Sequence, residues 1–335
     1  MVSLTAMELR KDPITRSWVI TGNDGQDSSP RPETFCRFCP DSPTPLQLIA
    51  NLPGPLGQPW SARAVVHPTP LYRVEGDPAR RGDGLYDRMR SVGAHEVLVE
   101  NPKHDRHLWN ASDAEIEAFL LLAAQRIQDL KHDGRLKYVS VFKNYGPSAG
   151  QEFSHPNSQL TATTFVPRRV LYELRACREY FKQKERCVFC DIISQELQQN
   201  ERVLEIRGDF LALCPYAPRV PYETWILPRI HEAAFERFAL NRPGTLHDLA
   251  APSAPHLAAH PLDYRGVSPG PAHFAQQPAP FGEPGILEDP GRGLPLAHRD
   301  HAHPRGQGEV LHFQGGLLLP HQLRNRGEAP AGRED

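Results

Sequence analysis

A chain of 335 residues, 39% of them hydrophobic, is long enough for one large domain or two ordinary ones, each with a substantial core. A formal net charge of −2 leaves no electrostatic footprint for nucleic acid or an anionic membrane. With no apolar run long enough to span a bilayer and no signal peptide, a cytoplasmic location is expected, where six cysteines would not build a disulfide framework.

In chain order, the first chemical signal is Cys36 and Cys39 in TFCRFCPDSPTP, a C-x-x-C pair in a turn-like, aromatic-flanked stretch. A thioredoxin-type pair opens a helix after a strand, so this setting favours a zinc knuckle over redox chemistry. HEVLVENPKH (95–104) reads as a strand ending in Pro102 and His104. A helix follows. Ser112 and Glu115 make a capping box, and Ile116, Phe119, Leu120, Ala123, Ala124, Ile127 and Leu130 recur at helical spacing. KYVSVFKN (137–144) predicts another strand. GPSAG (146–150) then exposes backbone N–H groups suited to phosphate oxygens and leads into FSHPNSQL (153–160). On a strand, residue 157 points to the same side as His155, where a second histidine would be the natural catalytic occupant; the residue there is Asn157.

The order then repeats. ERCVFCDI holds Cys187 and Cys190, again read as turn-like, YETWILPRIH (222–231) reads as a strand ending in Pro228 and His231, and EAAFERFA (232–239) starts a helix. Two halves with the same order of elements predict a duplicated α+β fold with antiparallel sheets and packed helices. Each half offers two thiolates and a histidine past a proline, three of the four donors a zinc ion needs, and His155 is the available fourth in the first half. Cys177 and Cys214 read as ordinary buried thiols.

Taken together, ELRKDPITRSWVI, FCRFCP, HEVLVENPKH, VFKNYGPSAG and SHPNSQ resemble the galactose-1-phosphate uridylyltransferase family of the histidine-triad superfamily, including its ADP-glucose-acting relatives, over residues 7 to 238. The resemblance implies histidine-triad-like halves and ping-pong transfer. A histidine attacks the α-phosphorus of a nucleotide sugar, and the nucleotidyl group passes to a sugar 1-phosphate or phosphate. It implies zinc on Cys36, Cys39, His104 and His155, and three ligands of a second zinc at Cys187, Cys190 and His231. It places Arg10, Asn144, Gly146, Gly150 and residue 152 at the substrate, gives Gln159 a hydrogen bond to a phosphate oxygen, and implies a homodimer. The family pattern is H-P-H-x-Q with the second histidine as nucleophile, and Asn157 stands in its place. An amide nitrogen delocalised into its carbonyl cannot usefully form or release a phosphoramidate, so the transfer is expected to be impaired. The alternative is a non-catalytic protein that binds nucleotide sugars, or a decayed gene product. Glu152 replaces a usual Ser or Thr and would repel a phosphate; Arg16 stands for glycine and His67 for asparagine.

Three regions follow: a first half (1–170), an incomplete second half (171–250) and a Pro/Gly/His-rich tail (251–335) that contains no lysine and reads as disordered. Read one nucleotide out of phase, permitted codons for LPLAHRDHAH (294–303) spell Tyr-His-Trp-His-Ile-Glu-Ile-Met-Pro, like the family's C-terminal histidine strand. PAHFAQ (271–276) and GLLLPHQL (316–323) yield family-like segments in the same phase. The chain is therefore expected to leave its ancestral frame between about residues 249 and 267, taking the second zinc's fourth ligand with it.

Overall fold

The computed structural model describes residues 7–22, 35–146, 149–219, 223–242 and 244–250, and the backbone of Glu309–Val310 and Phe313–Gly315. The chain starts with a hairpin, β1 (Glu8–Lys11) and β2 (Trp18–Thr21). Next come β3 (Leu48–Leu52), β4 (Ala62–Val66), β5 (Arg81–Asp83), β6 (Tyr86–Arg90) and β7 (Gly93–Val99). Helix α1 (Asp113–Leu130) leads to β8 (Tyr138–Phe142), β9 (Asn144–Tyr145) and β10 (Asn157–Thr163). The second half holds α2 (Arg168–Lys184), α3 (Val188–Gln199), β11 (Val203–Arg207), β12 (Phe210–Leu213), β13 (Trp225–Pro228) and α4 (Phe235–Asn241). Two short strands follow, β14 (Glu309–Val310) and β15 (Phe313–Gly315).

The strands form antiparallel sheets in the orders β2-β1-β6-β5, β15-β8-β10-β7-β4-β3, β11-β12-β13 and β14-β9. With helices packed on them, the architecture is α+β, as the sequence predicts. The described residues of the second half contribute a three-stranded sheet. Of the tail, β14 and β15 pair with β9 and β8 of the first half. The frame-shifted reading of 271–276, 294–303 and 316–323 falls outside the described residues.

Strand alternation in β7 and β10 separates a core face from a site face. Ala94 and Leu98 of β7 and Leu160 and Ala162 of β10 pack with Ile116, Phe119, Leu120 and Ala123 of α1 in the main core. Glu96 lies on that side too, bound by both Nε and a terminal nitrogen of Arg126 at 2.8 and 2.7 Å, which fixes the helix to the central strand. Phe210, Phe238, Leu249 and Ala250 join the same core, so the second half rests on α1. On the opposite side, Val97 and Val99 pack with Phe38, Trp60 and Val65, and Cys36 and Phe153 lie against them. That face carries the site.

The Cys187 pair departs from the turn-like reading. Cys187 is the N-cap of α3 and Cys190 lies in its first turn, where Asp191 adds a favourable acidic residue. The helix is preceded by α2, which ends at Glu185 in a left-handed conformation, rather than by the strand a thioredoxin-type pair would follow.

Candidate active site and metal centre

Three separate segments deliver the first donor set: the 35–39 turn, the loop after β7 and the entry to β10. The ligand atoms of Cys36, Cys39, His104 and His155 lie within 4.8 Å of one another. His155 Nδ1 is 3.5 Å from Cys36 Sγ, 3.6 Å from Cys39 Sγ and 3.3 Å from His104 Nδ1, and His104 Nδ1 is 3.6 Å from Cys39 Sγ. Zn–N bonds of about 2.0 Å and Zn–S bonds of about 2.3 Å put tetrahedral edges at about 3.3 Å between nitrogens and about 3.6 Å between nitrogen and sulfur. The donors therefore stand near the corners of a tetrahedron that a zinc ion would fit. His155 Nε2–H donates to the Asn101 carbonyl at 2.8 Å, which leaves the Nδ1 lone pair for an ion. Burial lowers the His155 pKa to about 4, so the ring is neutral and ready to ligate. Burial and the adjacent Cys36 push the Cys39 thiol up to about 11, so an ion that binds must displace protons.

In the second half, Cys187, Cys190 and His231 converge, with Cys190 Sγ at 3.2 Å from His231 Nδ1. This cluster supplies three donors among the described residues.

Beside the first set stands Asn157, buried at the start of β10. Its Nδ2 donates to the carbonyls of His155 at 2.7 Å and Phe153 at 3.4 Å. Gln159, two residues on, accepts from His95 Nε2 at 3.0 Å and turns its NH2 toward Glu152 Oε2 at 3.5 Å. His95 stacks on His67 with ring centroids 3.9 Å apart. Each ring's tautomer is set by a backbone amide: Leu71 N–H donates to His95 Nδ1 and Thr69 N–H to His67 Nδ1, both at 3.1 Å. Burial, then neighbouring His67, lowers the His95 pKa to about 4. His67 Nε2–H donates to Glu152 Oε2 at 3.1 Å. Burial opposes ionisation of Glu152, but the hydrogen bond from His67 and the electrostatic influence of His67 and His95 hold its carboxyl below the ordinary range. Glu152 and His67, read from the sequence as separate departures, are thus one hydrogen-bonded pair, and the anion they present lies beside Gln159.

The glycine-rich loop differs from its expectation. Gly146 and Gly150 take the left-handed conformation, at φ 85° and 76°. Yet Gly146 N–H donates to Gln151 Oε1, and the amides of Ala149 and Gln151 donate to the Gly146 carbonyl. Those three donors close the loop on itself, so they are not open to phosphate. Asn144 reaches the Gly150 carbonyl at 3.5 Å, and its own Oδ1 is buried without a partner among the described residues, an acceptor a ligand could satisfy. Arg10 lies apart, exposed on β1 and paired with Glu8 at 3.1 Å.

Two residues escaped sequence reading. Lys143 Nζ binds both oxygens of Glu100 at 2.8 Å and the Asn157 carbonyl at 3.0 Å, and Ser158 Oγ donates to Glu100 at 2.7 Å. This buried clamp fixes the backbone of residue 157. Its sequence signal was the placing of single charges at the ends of apolar runs, HEVLVE and VSVFK.

An ADP-glucose phosphorylase from Arabidopsis thaliana is 28% identical over 247 residues, 68% of this chain and 67% of the relative. A galactose-1-phosphate uridylyltransferase from Thermotoga maritima is 28% identical over 235 residues, 70% of each chain. This chain resembles the galactose-1-phosphate uridylyltransferases. A solved uridylyltransferase superposes with a TM-score of 0.63 at 26% identity, covering 74% of this chain and 73% of the other. An ADP-glucose phosphorylase from Arabidopsis thaliana, solved with ADP-glucose bound, gives 0.57 at 27% identity over 76% and 77%. No protein-family model matches the chain. Among the described residues no helix is long and apolar enough to cross a membrane.

Proposed function

We propose that this chain carries a nucleotide-sugar site of the uridylyltransferase type, with zinc on Cys36, Cys39, His104 and His155, in which the nucleotidyl-transfer step is disabled. Its ligands are a nucleotide sugar and a sugar 1-phosphate. In the intact reaction an imidazole nitrogen bonds to the α-phosphorus while the bond to the sugar 1-phosphate breaks; a sugar 1-phosphate then takes the nucleotidyl group and the imidazole lone pair is restored. The observation that carries the reading is Asn157. Its amide nitrogen is conjugated and donates to two backbone carbonyls, so it offers no lone pair to phosphorus. Gln159 remains placed to donate to a phosphate oxygen, while anionic Glu152 beside it opposes the approach of that phosphate.

Four protein donors leave a zinc ion no open position, and its contribution when bound is to cross-link three segments. Cys36 and Cys39 hold the turn, His104 the loop after β7, and His155 the entry to β10. The second cluster is proposed to lack its fourth donor through the change of frame beyond residue 250, leaving the second half incomplete. The test is exchange of label between a nucleotide sugar and hexose 1-phosphate. This chain gives none, and Asn157→His gives no more than a trace because the second half is still incomplete. Exchange by the unaltered chain would refute the reading.

A further inference from the structure

The turn between β1 and β2 and the first turns of α2 enclose a cavity of about 170 Å³ lined by Ile14, Arg16, Arg168, Leu171, Tyr172 and Arg175. Three of its six lining residues are arginines, and none is acidic. The nearby carboxylate is Asp12. Its Oδ1 accepts the amides of Ile14 and Thr15 at 2.8 Å, and its charge acts on Arg168. Arg168 Nε donates to the Tyr172 hydroxyl at 2.9 Å and lies over that ring, 5.0 Å from its centroid. Arg16 and Arg175 have no carboxylate partner among the described residues. Three guanidinium side chains thus line one cavity with little compensating charge, and a bound dianion would pair with them.

Arg16 adds a second observation. It sits at φ 58°, a left-handed conformation that costs a residue with a Cβ about 1 kcal/mol or more relative to glycine. The cost falls on the residue that completes the trio. Pro167 caps α2 without a side-chain hydrogen bond, so the positive end of the helix adds to the same field.

We infer that this pocket binds a phosphate group, at a site that shares no residue with the Asn157 cluster. The cavity is smaller than the pockets of about 300 Å³ and above that enclose whole organic ligands, so it suits the phosphate itself. Exposed Ile14, Leu171 and Tyr172 form an apolar rim for the organic part of a monoester. Phosphate presents several oxygens to planar, two-pronged donors, the geometry arginine matches better than lysine.

The test uses the full chain in calorimetric titrations with inorganic phosphate and with phenyl phosphate, against a chloride background. Both substitutions chosen protect folding: Arg16→Gly relieves the left-handed strain, and Arg175→Ala puts the best helix former in α2. The expected result is one saturable site, with binding weakened about fivefold or more by each substitution and thermal midpoints unchanged or raised. Tighter binding of phenyl phosphate assigns the site to a monoester, and equal affinity to the free ion. The proposal fails if neither ligand saturates at millimolar concentration, if chloride competes on equal terms, or if binding survives both substitutions. It also fails if the patch instead holds a second copy, seen as a dimer that Arg175→Ala dissociates while phosphate does not bind.

Discussion

Asn157 stands where the proposed reading needs a nucleophilic imidazole, and its side-chain nitrogen donates to two backbone carbonyls instead. Lys143, paired with buried Glu100, binds the residue-157 carbonyl and so fixes the backbone there. Removing one member of that buried pair would strand the other. Lys143→Met is expected to cost about 3–5 kcal/mol in denaturant unfolding, whereas loss of an exposed ion pair costs under about 1. Glu152→Ser tests the residue on the other side of Gln159. On the proposed reading, removing an anion beside Gln159 should tighten nucleotide-sugar binding about tenfold at pH 7, measured by titration calorimetry. The gain should persist down to the ordinary carboxylate range and disappear only below it, because the folded carboxyl titrates lower than usual. The C-x-x-C pairs, His104, His155 and Asn157 were legible as residues because their types are chemically distinctive. Lys143 and Glu100 were not, since a single charge at a strand end reads as solvent-facing until the fold covers both.

At the scale of elements, α1 was read almost whole. Its capping box is present in both directions, and its apolar stripe is the core face. The sequence did not show how far the cap reaches. Glu115 accepts Ser112 N–H at 2.7 Å, Arg106 Nε at 2.9 Å and Asn101 Nδ2 at 2.9 Å, and the Asn101 carbonyl in turn orients His155. The helix start is thereby tied to the Cys36, Cys39, His104 and His155 cluster. Burial raises the Glu115 pKa, but these donors outweigh it and bring the carboxyl down to about 2. A lowered folded pKa contributes stability above the ordinary value of 4.5, and that contribution is lost as pH falls toward 2. Glu115→Gln should therefore cost about 1–2 kcal/mol at pH 7, allowing for solvent screening, and the difference from the unaltered chain should narrow as pH drops below 4.5. The opening of α3 at Cys187 was missed because local sequence does not show that a helix, rather than a strand, precedes the pair.

For the whole molecule, the metal is expected to act as a staple. The turn at 35–39, His104 and His155 are distant in sequence, so closing them through one ion restrains the unfolded chain and stabilises the folded one. Elemental analysis should find zinc bound, Cys36→Ala should lower the zinc content, and chelation should lower the thermal midpoint. Unchanged zinc content in Cys36→Ala would remove the site. The duplicated order of elements was readable from the recurring C-x-x-C, strand and Pro-histidine pattern. The docking of the second half on α1 was not, because Phe210, Phe238 and Leu249 look like any apolar residues until α1 supplies the partner surface. Whether the proposed nucleotide-sugar site has lost its covalent step is read by mass spectrometry of the intact protein after incubation with UDP-glucose or ADP-glucose. The unaltered chain should show no added nucleotidyl mass, while Asn157→His should show a detectable acid-labile adduct. A nucleotidyl adduct on the unaltered chain would contradict the claim and require a nucleophile other than residue 157.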